Sequence, residues 1–224
     1  MSPSASVRRA ATAAAALMAI FPLTVIALNL AQLGRYNPAA DAISLLALGR
    51  GGLALNAAFI AGGAATFTAA WVLRHSVTGA AAGPVLLAFF GCTSVVSGLV
   101  NTTPDNAPVT TASLIHQFAG LVGFLAVIAA MFVFARRFAK DPAWRRHARP
   151  TLVWAIAAAV TLLAIPAAPP ILFGVAQYAH VATWMSWMIV TMLYARTLAT
   201  APAPSSPLST PTGHEASLNA ARGT

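Results

Sequence analysis

Six stretches of this chain are apolar over 15 to 27 residues, and none of them contains an Asp, Glu, Lys or Arg. They run over 11–33, 52–73, 79–100, 109–135, 151–165 and 171–195. A spanning helix needs about 20 residues, because the hydrocarbon core is about 30 Å thick and each residue rises 1.5 Å. Five stretches meet that length. The fifth in order, 151–165, would reach only about 22 Å, but it gains length if its helix begins near Trp144. Pro166, Pro169 and Pro170 are expected to end it, since proline lacks the amide a helix interior needs and restricts the residue before it. One unbroken helix over 151–195 would be far too long for a single crossing, so 166–170 reads as a hairpin between two spans. The fold expected is all-α: a polytopic membrane protein, a six-transmembrane-helix bundle.

Only 8% of the 224 residues are charged and 58% are hydrophobic. A soluble domain carries about 25% charged residues, so a water-facing surface of ordinary size is excluded. The six spans leave no room for a second folded unit. A net charge of +9 would point to nucleic acid in a soluble protein. Here the basic residues fall between apolar spans and report topology instead, so the partners expected are membrane lipids and not nucleic acid. Cys92, the one cysteine, rules out an intramolecular disulfide and a cysteine-based metal cluster. Arg8 and Arg9 precede a 23-residue apolar run, longer than the 7–15 residues of a cleavable signal core. That run reads as a retained first span behind a cytoplasmic segment 1–10.

Of the 13 Lys and Arg, 11 lie on one side of the six-span threading, and only Arg35 and Arg50 lie on the other. The positive-inside rule therefore places both termini in the cytoplasm of a multi-pass plasma-membrane protein. The basic connector 135–149 carries Trp144 and is expected either at the lipid headgroups or as a solvated loop. The tail 197–224, rich in Pro, Ser, Thr and Ala, is expected to be disordered. In the first external connector Asn37-Pro38 reads as a turn. Asp41 is expected to cap a short helix over 42–48, stopped by Gly49 and lying in the outer interface. Ala58 with Gly62, Ser94 with Gly98, and Ala119 with Gly123 are small residues four apart, a spacing that lets helix backbones approach.

Polar residues in or beside the spans gather in the outer halves: Asn29, Asn56, Asn101, Thr102, Thr103, Asp105, His116, Gln117, Gln177 and His180. Polar groups in hydrocarbon are costly unless partnered. Their one-sided placement is consistent with separate interhelical hydrogen bonds, and also with a polar pocket opening outward. Asn29, Asp41, Asn56, Asp105, His116, Gln117, Gln177 and His180 are the candidate lining. His116 and His180 sit about 9 and 13 Å below the outer boundary and would ligate a haem iron if they faced one another. Zinc would need further ligands, with Asp41 and Asp105 the nearest candidates. No metal or cofactor is expected, and no Gly-rich phosphate loop, nucleophile-elbow serine or intramembrane acid is present.

Several segments resemble a bacterial family of six-helix membrane proteins known as domain of unknown function 998. They begin with Asp41-Ala-Ile-Ser-Leu-Leu-Ala-Leu-Gly49, then Leu86-Leu87 and Gly91 through Gly98 to Asp105. His116, Arg136-Arg137-Phe138, Asp141-Pro142-Ala143-Trp144-Arg145, Gln177-Tyr178 and Trp184 to Trp187 continue the likeness. The resemblance covers about 11–196 and implies a six-span membrane protein of undetermined activity. The family often has an Arg after the Gln and a histidine like His116 alone, so His180 departs from it and weakens the haem reading. Three functions remain: a non-enzymatic binder of a small amphiphile or lipid, a haem-binding redox protein using His116 and His180, and a lipid-modifying enzyme with His116 as base.

Overall fold

A computed structural model describes residues 3–104 and 107–200. Six long helices carry the fold: α1 Pro3–Ala31, α2 Gly52–Ser76, α3 Ala82–Leu99, α4 Thr111–Phe138, α5 Arg145–Ala167 and α6 Phe173–Leu198. No strand occurs among the described residues. The first five helices are each long and apolar enough to cross a membrane. The sixth has the length but is diluted by Gln177, His180 and Thr183. The chain is a polytopic helical membrane protein.

Each helix packs on its neighbours in sequence, and α6 returns to pack on α1, so the six close into a ring. Short connectors force consecutive helices antiparallel. Connectors 32–51, 100–110 and 168–172 therefore gather at one end, the long-connector end. The other, basic end carries connectors 77–81 and 139–144 together with Arg8, Arg9 and Arg196.

Several boundaries differ from the sequence expectation. α1 starts at Pro3 and runs through Arg8 and Arg9. α5 begins at Arg145 and continues through Pro166 to Ala167, 23 residues in all, which spans about 34 Å. Pro166 lies in the last turn, and Ala168 ends the helix extended. The external helix is a 3-10 helix, Ile43–Leu48, and Asp41 does not cap it. The Asp41 carboxylate instead accepts the Asn37 amide at 2.7 Å, closing the turn that Asn37-Pro38 begins. The Pro- and Ser-rich tail beyond Thr200 lies outside the described residues, while 197–198 complete α6.

Within the basic connector Asp141, Trp144 and His147 turn inward, while Arg136, Lys140, Arg145, Arg146 and Arg149 stay exposed. Trp144 is fully buried, stacked on Phe138 with ring centroids 4.5 Å apart, and its indole donates to the Ser76 carbonyl at 3.0 Å. Asp141 is buried and accepts the Thr78 and Ala143 amides, each at 3.0 Å. His147 bonds Thr191 at 3.0 Å and stacks on Tyr194. These contacts tie the α2–α3 and α4–α5 connectors and α6 into one plug closing the basic end.

Candidate functional site: a cavity inside the ring

At the opposite end the ring is not filled. A cavity of about 920 Å³ is lined by residues of all six helices and by the external 3-10 helix. Its long-connector end is polar, with Ser44, Ser97, Thr102, Thr103, His116, Gln117 and Gln177 on the wall. Deeper in, apart from Thr93 and Ser94 of α3 and the Trp184 indole, the wall is apolar: Met18 and Phe21 of α1, Phe59 of α2, Phe90 of α3, Phe124 of α4, and Val181 and Met185 of α6. Met18 lies about 20 Å along α1 from its long-connector end. Aromatic rings pack edge-on around this depth, Phe21 on Phe59 at 5.0 Å and Phe90 on Trp184 at 4.9 Å.

Three of the eight candidate residues line this cavity: His116, Gln117 and Gln177. His116 bonds the Val100 carbonyl through Nδ1 at 2.8 Å. A carbonyl only accepts, so Nδ1 carries a proton and donates. Gln177 accepts the Ile43 amide at 2.7 Å through Oε1, which anchors the first residue of the external 3-10 helix. Gln117 donates to Ser113 at 3.0 Å, and the same hydroxyl receives the Thr103 amide at 3.3 Å.

The other candidates are placed elsewhere. Asn29 donates to the Tyr178 hydroxyl at 2.9 Å. Tyr178 meets Tyr36 at 3.1 Å, and Tyr36 donates to the Asp41 carbonyl at 3.1 Å. Asn29 and the Asp41 backbone thus hold the first connector onto α1 and α6, off the cavity wall. Asn56 faces a packed interface with its Oδ1 buried and unpartnered. Asp105 lies outside the described residues. His180 is fully buried and turned toward α5, where Nδ1 meets the Ala158 carbonyl at 3.1 Å and Thr161 at 3.2 Å. Phe124 packs edge-on to its ring at 4.5 Å. The two histidines serve different neighbours, and a bis-histidine haem site is not assembled. Among the described residues no three His, Cys, Asp or Glu cluster as metal ligands.

Ser97, Trp184 and Gly120 belong to the wall although their positions carry no polar-residue signal in the sequence. Ser97 is 5% exposed and its hydroxyl makes no hydrogen bond among the described residues. The Trp184 indole nitrogen is buried without a partner. A Cβ added at Gly120 would meet nothing within 4 Å. The wall also thins between α4 and α5: Leu121, Leu125 and Leu163 line the cavity and are 52%, 52% and 71% exposed. The buried residues of α5 end at Ala158, so its last turns lean on little.

A family described as a protein of unknown function (DUF998) matches residues 12–194. The chain belongs to this family. The DUF998 match runs from α1 to within the last turns of α6, so the whole ring, with the cavity and the plug, lies inside the family's domain. No curated protein and no solved structure matches this DUF998 chain significantly.

Proposed function

We propose that this DUF998 protein crosses a bacterial plasma membrane six times, with both termini cytoplasmic, and binds a small amphiphile or single-chain lipid in the cavity from the outer leaflet. The observation that carries the reading is the polarity gradient along one continuous space. Hydroxyls, an imidazole and two carboxamides stand at one end, and Phe, Met and Val stand at the other. A headgroup satisfies the polar end while a hydrocarbon tail covers the apolar walls. The Ser97 hydroxyl, on the wall and without a partner among the described residues, can bond such a headgroup. The apolar rim between α4 and α5 lets a tail enter sideways from lipid without crossing water.

Gly120 lies on the cavity wall and a Cβ there enters open space, so Gly120→Trp directs its indole into the cavity. Purified protein in nanodiscs is titrated with a dansyl-labelled lysophosphatidylcholine. The wild type is expected to give saturable fluorescence, and Gly120→Trp to weaken it at least about tenfold, or about 1.4 kcal/mol, with an unchanged melting temperature. Equal, unsaturable partitioning into both samples would remove the ligand-binding reading.

A further inference from the structure

A second cavity, of about 350 Å³, lies at the basic end between α3 and α4. Its wall joins Gly79, Ala80, Ala81, Ala82 and Gly83 to Arg136, Arg137 and Lys140, over a floor of Val133 and Phe134. We propose that this pocket binds the phosphate of an anionic phospholipid in the adjacent leaflet, at a site separate from the central cavity.

Three cations line the pocket and no acid does. Asp141, the nearest acid in sequence, is occupied by the Thr78 and Ala143 amides. Arg136 and Lys140 have no partner among the described residues. The Arg137 guanidinium is fixed by the Gly79 carbonyl, and its Nε is buried without a partner. That contact holds a positive group at the mouth in one position instead of leaving it free in solvent. The facing segment is built from Gly and Ala only, with the Phe134 ring against Gly83 and the Arg137 guanidinium against Gly79. It leads into the first turn of α3, which has no side-chain cap; Pro84 has no amide there and Val85 bonds the Ala81 carbonyl, so the amides of Ala82 and Gly83 are the ones that favour negative charge.

Lipid is favoured over a soluble anion by what lies below the pocket. Phe132 and Arg136 are four residues apart on α4 and share a face that changes from apolar to basic at the helix end, and Lys140 follows in the turn just beyond it. Phe132 is 40% exposed, and Val85 and Phe89, a turn apart on α3, are 68% and 50% exposed. An acyl chain running along these side chains brings its phosphate to the level of Arg136 and Lys140. Each Lys or Arg near an anionic headgroup contributes about fivefold in binding.

The test uses the full chain in nanodiscs of phosphatidylcholine with and without phosphatidylglycerol, and counts retained lipids by native mass spectrometry after delipidation. The double variant Arg136→Gln/Lys140→Gln is expected to lose phosphatidylglycerol retention about 25-fold. Arg145→Gln/Arg146→Gln, which removes the same charge from the same end outside the pocket, is expected to retain it as the wild type does. Equal losses in the two variants would mean diffuse surface attraction and overturn the site. Displacement of the lipid by millimolar inorganic phosphate would overturn the lipid assignment in favour of a soluble anion. All four side chains are exposed, and matching melting temperatures in phosphatidylcholine alone would exclude a folding defect.

Discussion

Tyr36 is the single side chain on which the long-connector end turns. It is 8% exposed, donates to the Asp41 carbonyl and so receives the Tyr178 proton, which in turn leaves Tyr178 to accept from Asn29. The chain of donors has one consistent direction. Burial, with the Tyr178 hydroxyl and then Asp41 adding to it, raises the Tyr36 phenol well above its ordinary pKa. An acid whose folded pKa lies above the unfolded value of about 10 holds its proton more tightly when folded. Its contribution to stability is therefore full below about pH 10 and is lost as pH rises beyond it. Thermal unfolding in detergent is expected to be level from about pH 8 to 9 and to weaken above about pH 10. Tyr36→Phe is expected to cost about 1 kcal/mol at neutral pH and to blunt that alkaline loss. An alkaline loss of the same size in the variant would show that another group is responsible.

At the scale of helices, the closest approach is between α2 and α3. A Cβ on Gly63 would strike the Gly91 carbonyl and Val95, and one on Gly91 would meet the Gly63 carbonyl at 3.2 Å. Gly98 likewise sits against the Asn56 carbonyl, and Ser94 donates to the Phe59 carbonyl at 2.7 Å. Gly63→Ala should cost about 1–3 kcal/mol by overpacking, whereas Gly120→Ala should be neutral or gain up to about 1 kcal/mol of helix propensity. Chemical unfolding of the two variants side by side checks this, and equal stabilities would contradict the packing. The spacing of small residues anticipated Gly98 and Gly123, both of which meet neighbours, but passed over Gly63 and Gly91. A four-residue spacing describes one helix, while the Gly63–Gly91 approach depends on the register of two. The plug at the basic end was hidden for a similar reason. Arg-rich composition at 135–149 gives no hint that Trp144, Asp141 and His147 turn inward, because their partners Ser76, Thr78 and Thr191 are remote in sequence.

For the whole molecule, apolar length was enough to find the helices and the membrane class, since each crossing is a local property of 20 or so residues. Ring closure is not local. It places Tyr178 and Gln177 of α6 against the first connector, and it sorts the polar residues: His116, Gln117 and Gln177 to the cavity wall, Asn29, Asp41, Asn56 and His180 to contacts between elements. Depth along a helix could not separate these groups, because the facing direction is set by the ring.

The threading and the sorting can be tested together. A cytoplasm-active reporter fused at Leu198 is expected to signal, and a periplasm-active one to stay silent. In a Cys92→Ala background, Gln117→Cys is expected to react with an external, membrane-impermeant thiol reagent. Asn56→Cys, at a packed interface, should label no faster than Ala64→Cys, which is exposed on α2 where lipid excludes water and keeps a thiol protonated. Rapid labelling of Asn56→Cys would mean that water reaches between α2 and α3, against the close contact of Gly98 with the Asn56 carbonyl. Protection of Gln117→Cys together with an inverted reporter result would place the long connectors in the cytoplasm. The central cavity would then open to the inner leaflet, and the amphiphile would have to enter from that side.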